Sequence, residues 1–543
     1  MQDQRFPILT QNQLNILKNY GSVESFKERT QVFKIGEHQY DFFAILKGSV
    51  RIENPYNESL VVEHLQNEFT GDSGMLGNRE AQFDAFTTEN TTLLRIKSSQ
   101  LKKAISQHSN ISDTLLNAFL LREETVLNEF SGGIKLVGSG YDDKTYEIRN
   151  FLEKNHIWHS FIDINTATNA SELLETFDIK KDQLPILVRA NNEICSNPTI
   201  EQLAKYTGVL MEFGDQIFDL LIVGAGPSGL AASVYAASEG LKVVTIDNIA
   251  PGGQAGTSSK IENYLGFPSG ISGHDLAKRA YIQAQKFGCN ISIPHKAEKM
   301  DYNGDFFTVE ASNQYAIKAR SVIIATGARY RKLDLDNLHD YEGSGVYYSA
   351  TGMNVAACHK ELVGIVGGGN SAGQAALFLA QHADHVYIIL RGDDLGSKMS
   401  DYLVQRIEAA ENITVLLHSE VAKLHGSDHL EKVTINKQNE LSEFNITNLF
   451  TFIGAKPCTE WLPNQVHVDE NGFVETGLQV PDETLTTCEI YRKRKPQSLE
   501  TNIPGLFAVG DVRKGSVKRV ASAVGEGSMV VSQVHYFLSS IKE

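Results

Sequence analysis

Two glycine-rich turns hold the residues whose types and spacing could do chemistry. The first, FDLLIVGAGPSGLAASVYAASEGLKVVTIDN, sets Gly224, Gly226 and Gly229 in a G-x-G-x-x-G pattern, with Pro227 and Ser228 between the last two. Gly224 permits a tight turn, Gly226 lets backbone approach a pyrophosphate, and Gly229 lets helix pack on strand. The free N–H groups and partial positive charge of a helix N-terminus favour that pyrophosphate. Asp247, at the end of the next apolar run, would accept hydrogen bonds from a ribose. The second turn, LVGIVGGGNSAGQAALFLAQHADHVYIILRG, places Gly367 and Gly369, then Asn370 and Ser371, with Ala372 in the sixth position. Here the following strand ends in Arg391, and a guanidinium suits a 2′-phosphate where a carboxylate would suit a free 2′-hydroxyl.

Those turns need strands before them and helices after them. Leu220 to Val223 and Val243 to Ile246 read as the strands around the first turn, Leu362 to Val366 and Val386 to Leu390 as those around the second. Residues 217 to 543 alternate strands with helices, the pattern of a doubly wound parallel sheet. Before them, residues 1 to about 100 read as short strands punctuated by Gly36, Gly48 and Gly71, and Leu101 to Phe130 as helix. Residues 133 to 210 read β-α-β-α-β-β-α, the second helix at Ser171 to Phe177, with MEFGDQ as a linker.

Composition narrows the class. The chain has 543 residues, 41% hydrophobic and 21% charged, so it is globular and too long for one core. A formal charge of −16 repels phosphate backbones and argues against nucleic acid as a partner. The uncharged stretch Leu220 to Ser238 is broken by Gly224, Gly226, Pro227 and Gly229, which suits strand–turn–helix and not a membrane span. The first residues lack a basic segment followed by an apolar core, so a cytoplasmic location is expected. Cys195, Cys289, Cys358, Cys458 and Cys488 lie far apart, with no C-x-x-C and no zinc-ligand spacing, and no metal is expected.

Further segments carry a family resemblance. GGQ (Gly252 to Gln254), IEN (Ile261 to Asn263), IIATGA (Ile323 to Ala328) and FAVGDV (Phe507 to Val512), together with the first turn, resemble the low-molecular-weight thioredoxin reductase group of flavoproteins. The resemblance implies that the first dinucleotide is FAD, held by the first turn and by Gly253, Gln254, Asn263, Thr326, Gly327, Gly510 and Asp511, the last on the ribitol. Arg519, Val520 and Ala521 should approach the isoalloxazine. The second turn then takes NADPH, with NADH as the alternative, because Gly392, Asp393, Asp394 and Gly396 stand where those reductases have more arginines. Lys398 or the run Arg492 to Lys495 would compensate, unless that run is a solvated loop. Thioredoxin reductases of this type carry a C-x-x-C before the second turn, where this sequence reads GVYYSATGMN. Ser349 and Gly352 occupy the cysteine positions and form no disulfide. No catalytic side chain is assigned, and Cys358 reads as a small buried filler.

Residues 1 to about 130 resemble a cyclic-nucleotide-binding β-roll, in which Gly71 and Asp72 would meet the ribose and Arg79 the cyclic phosphate, although Glu80 follows directly. Residues 133 to 210 resemble a thioredoxin- or glutaredoxin-like domain with Leu184–Pro185 at the cis-proline and no cysteine in GSGYDDKT. The expected fold is therefore α/β: two Rossmann-like nucleotide-binding domains, the NAD(P)H domain (334–452) inserted in the FAD domain (217–333 and 453–543), preceded by the roll (1–130) and the thioredoxin-like domain (133–210).

The expected activity is hydride transfer from NAD(P)H to FAD, with electrons leaving for a ferredoxin, a flavodoxin or a quinone. A disulfide reductase using other or partner thiols, and a nucleotide- or redox-regulated sensor, are the alternatives. The resemblance also implies a homodimer, and no membrane partner is expected.

Overall fold

The computed structural model describes residues 3–541, apart from 55–59, 78, 130–133, 168–179, 181–182, 190–192, 259, 349, 351–357, 428 and 486–488. The expected helix at Ser171 to Phe177 and the two positions Ser349 and Gly352 lie outside the described residues. Backbone proximity divides the chain into two compact units. Met1–Phe218, Ser233–Ala250 and Ala280–Lys296 form one; Asp219–Ala232, Pro251–Arg279 and Ala297–Glu543 form the other.

In the first unit the N-terminal strands make two antiparallel sheets. Ser22–Phe26, Thr91–Ile96 and Phe42–Lys47 lie side by side in one; Gln31–Phe33, Asp84–Thr87, Val50–Glu53 and Leu60–His64 make the other. The chain passes from one sheet to the other at Gly48, whose φ of 83° is open to glycine at little cost. Phe42, Phe43, Phe69 and Phe119 fill the core, each under 2% exposed. The expected single helix after the roll is two, Ser98–Gln107 and Ser109–Glu129, separated by His108 in extended conformation.

The next stretch builds a four-stranded sheet in the order Ile194–Ser196, Ile186–Val188, Ile134–Gly138, His159–Asp163. The last two run parallel and the others antiparallel. Helix Asp143–Lys154 starts where Asp142 accepts the Thr145 amide at 2.7 Å. Helix Ile200–Tyr206 starts at a capping box of Thr199 and Gln202. The peptide bond Leu184–Pro185 is cis. The same unit holds the parallel strand pair Val243–Ile246 and Asn290–Ser292.

The second unit contains two sheets of Rossmann type. In one, Ile217–Val223, Tyr315–Ile324, Phe307–Ala311 and Ala297–Tyr302 follow in order, and Leu506–Ala508 runs parallel to the end of the second of these. In the other, five parallel strands lie in the order Val346–Tyr347, Asn448–Thr451, Leu362–Val366, His385–Ile389, Ile413–Leu416. Where the chain crosses between the two, Ala328–Tyr330 pairs antiparallel with Ala455–Pro457. Among the described residues no helix is long and apolar enough to cross a membrane.

Two buried histidines in the first unit make stability pH-dependent. Burial lowers both His64 and His295 to about 4, where the unfolded chain has about 6.5. Between these values the unfolded state binds more protons, so stability is full above about pH 6.5 and falls as pH drops towards 4. The expected loss is about 3 kcal/mol per histidine. Urea unfolding across that window checks it, with His295→Gln giving a shallower slope; equal slopes would refute the assignment.

Candidate functional site

At the first turn the three glycines are held for three different reasons. Gly224 has φ 111°, and a Cβ there would lie 2.3 Å from the Ala325 carbonyl oxygen. A Cβ on Gly229 would lie 1.8 Å from the carbonyl oxygen of Gly224 itself, so only a bare Cα lets the helix return against its own strand. Gly226 faces open space, with nothing within 4 Å of a built Cβ. Helix Pro227–Ser238 begins beside that space, with proline at the first position, where its missing N–H costs nothing. An open, Cβ-free approach to a helix N-terminus is a fit for a pyrophosphate.

Segments of the second unit approach the start of this helix. Gly510 and Gly527 both pack on Ser228: a Cβ would lie 2.5 Å from the Ser228 hydroxyl at the first and 2.2 Å from its carbonyl at the second. Helix Val520–Ser540 begins after Arg519, which is in extended conformation. Burial raises the Asp511 carboxyl, partly opposed by Lys518, whose ammonium donates to the Asp511 carbonyl. Gly253 has φ 52° and its Cβ would meet Gly226 Cα at 3.0 Å. The Gln254 amide donates to the Ala328 carbonyl, and Thr326 Oγ1 donates to the Cys458 carbonyl at 2.8 Å. The Gly327 carbonyl accepts from the Cys458 amide. Asn263 is exposed. Sequence reasoning missed Glu526, which accepts from the Gly510 amide at 2.7 Å and pairs with Arg513. Its only signal was an acid inside VGEGS.

In the first unit Asp247 Oδ1 accepts from the Ile249 and Ala250 amides at 2.8 and 3.1 Å, and the Asp247 carbonyl from the His295 amide.

The second turn repeats the first with one change. Gly367 has φ 137°, and its Cβ would strike the Phe452 carbonyl at 2.5 Å; Gly369 is open and caps helix Asn370–Leu379. Ala372 is fully buried, Ser371 is exposed, and Asn370 Oδ1 accepts the Ser400 amide at 2.7 Å. The strand ends at Ile389, two residues before Arg391. Arg391 is exposed and has no ion pair among the described residues, whereas Asp393 pairs with His418 at 3.2 Å. Within the basic run, Arg494 grips buried Glu500 through both terminal nitrogens and Lys495 pairs with Asp482. Arg494 is therefore structural, while Arg492, Lys493 and Lys495 are exposed.

The roll's candidates are committed inside the chain. Asp72 accepts from Tyr40 Oη at 2.8 Å and from the Gly74 amide at 2.7 Å. The Gly71 carbonyl accepts from Arg122, which burial lowers to about 10. Sequence reasoning missed Arg122, the lone cation of helix Ser109–Glu129. Arg79 was expected to face a phosphate; instead it donates to the carbonyls of His156 (2.8 Å) and Asn155 (3.0 Å). Glu80 pairs with Arg189 and His38. The reason is chemical: those carbonyls end a helix and carry its partial negative charge.

Thiol chemistry finds little support. Burial raises the Cys358 thiol to about 12 and the Cys289 thiol to about 11, and raises Cys458 as well. Cys195 is half-buried. Among the described residues no cluster suits a metal ion.

The chain is similar to known proteins. A family model described as pyridine nucleotide-disulphide oxidoreductase matches residues 218–527, and one described as cyclic nucleotide-binding domain matches residues 23–108. The chain is 32% identical over 316 residues to a thioredoxin reductase of Mycoplasmopsis pulmonis, covering 58% of this chain and 95% of that protein. It is 31% identical over 332 residues to the Bacillus subtilis thioredoxin reductase, covering 61% and 97%. A solved structure, Lactococcus lactis thioredoxin reductase in its FR conformation, aligns with a TM-score of 0.53 at 28% identity, covering 60% of this chain and 99% of that one.

The open space at Gly226 yields a test. Gly226→Trp is expected to purify folded but colourless, read by circular dichroism and visible absorbance. A yellow variant with full flavin content would remove the pyrophosphate from this turn.

Proposed function

The chain belongs to the pyridine nucleotide-disulphide oxidoreductase family, and we propose that within it the protein oxidises NADPH through FAD and delivers the electrons to an external acceptor. The family's cofactors are FAD and NADPH. Bound FAD supplies the two-electron chemistry, taking hydride from a nicotinamide and releasing electrons onward. The chain's own residues bind and orient. The amides after Gly226 would face the pyrophosphate, Asp511 the ribitol and Asp247 the adenosine ribose. The helix starting at Val520 would turn its N-terminus towards the isoalloxazine, together with Arg519 and Ala521. The amides after Gly369 and the exposed Arg391 would hold NADPH. We retain the four-domain division and the homodimer as part of this proposal.

The observation that carries the acceptor reading is the cysteine inventory. No two of the five cysteines have C-x-x-C spacing, and burial disfavours the thiolate at Cys289, Cys358 and Cys458. An acceptor that takes electrons from flavin directly, a ferredoxin, a flavodoxin or a quinone, needs no such pair. The names of the relatives favour a second reading, reduction of a partner's disulfide. A sensor reading is weaker, because Asp72 and Arg79 are already bonded within the chain.

An anaerobic NADPH titration separates the first two. About two electrons per subunit should bleach the flavin fully; about four would reveal a further redox centre and favour the disulfide reading. Arg391→Ala is expected to raise KM for NADPH about tenfold or more while leaving KM for NADH nearly unchanged. Equal effects on both would refute a 2′-phosphate contact.

A further inference from the structure

We propose that Arg79 and Asn155 are positioning residues that hold the Asp247 loop in shape for the FAD ribose. The inference rests on the reading of Asp247 as the ribose acceptor. It starts from a hydrogen-bonded chain within the first unit. Arg79 Nη1 and Nη2 take the carbonyls of His156 and Asn155, and its guanidinium lies 5.8 Å from the centre of the Tyr281 ring. Asn155 caps helix Asp143–Lys154 and is 2% exposed. Its side-chain amide donates to the helix carbonyl of Phe151 and to the carbonyl of Ile249, each at 2.9 Å. Ile249 and Ala250 in turn donate their amides to Asp247 Oδ1.

Each link has a physical reason. A planar guanidinium with two parallel N–H donors suits two adjacent carbonyls at a helix end, and the helix dipole adds attraction. With its backbone carbonyl so held, Asn155 keeps the orientation that reaches Ile249. The Ile249 side chain is 53% exposed, so packing alone does little to fix that peptide. The Asn155 bond to its carbonyl supplies the restraint, and the two amides beyond it aim the Asp247 carboxylate. The residue whose sequence position suggested a phosphate contact thus serves the flavin site indirectly.

The test measures FAD dissociation constants, from the fluorescence of flavin released by the full-length protein. The variants are Arg79→Ala, Arg79→Lys, Asp247→Ala and the double Arg79→Ala/Asp247→Ala. Asp247→Ala should weaken FAD about tenfold. Arg79→Ala should weaken it severalfold in the native background and have no further effect when Asp247 is already alanine. Arg79→Lys, which keeps the charge and one donor at a time, should recover part of the loss. A general structural role would weaken FAD equally in both backgrounds, and that result, or no effect of Arg79→Ala, overturns the inference while the ribose reading stands. If Asp247→Ala leaves FAD affinity unchanged, the ribose reading itself fails and the inference with it.

Discussion

Contact of backbone with backbone at the first glycine-rich turn is the constraint on which the second unit's architecture depends. The strand Ile217–Val223 must end, reverse and become a helix that lies back on it, with a carbonyl oxygen 1.8 Å from where the Gly229 Cβ would be. Any side chain at that position would push helix and strand apart and misalign the helix N-terminus. The packing of Gly510 and Gly527 on Ser228 extends the same logic, since each brings a distant segment against the helix that follows the turn. The second turn reuses it through Gly367 against Phe452. Open space beside Gly226 and Gly369 is the other half of the design, since nothing lies within 4 Å of a Cβ built at either position beside a helix start.

Electrostatics decides what the other polar residues do. One helix of the first unit has a carboxylate at its first amides and a cation at the carbonyls of its other end. Asp142 opens helix Asp143–Lys154, and Arg79 closes the chain just beyond it. Buried Arg122 sits between Asp72 and Glu68, whose charges offset part of its desolvation. Asp72 and Arg122 thus both have hydrogen-bond partners within the roll. Its relationship to cyclic-nucleotide-binding domains is clear over residues 23–108, while the side chains expected at a ligand have intrachain partners.

The chain shares the fold of its thioredoxin reductase relatives over about 60% of its length, and its five cysteines lack C-x-x-C spacing. Hydride transfer asks the protein for position and polarity, and two turns with open helix starts supply both. Disulfide exchange asks for an accessible thiolate, and the surroundings of Cys289 and Cys358 oppose one through burial. Fold alone does not assign the final acceptor.

What the sequence determined by itself was whatever depends on local spacing. The glycine pattern, the flanking apolar strands and the change of sign at Arg391 are all contiguous features, and the strands Val243–Ile246 and Leu362–Val366 emerge at their expected bounds. Only the tertiary structure decided which polar groups meet. Arg79 and Asn155 are 76 positions apart, Asn155 and Ile249 are 94 apart, and Glu526 meets Gly510 across a turn and a helix start. Nothing in their local spacing marks these pairs. A charged side chain takes the partner that best offsets its desolvation, and that partner is known only once folding has brought distant backbone carbonyls and amides within 3 Å.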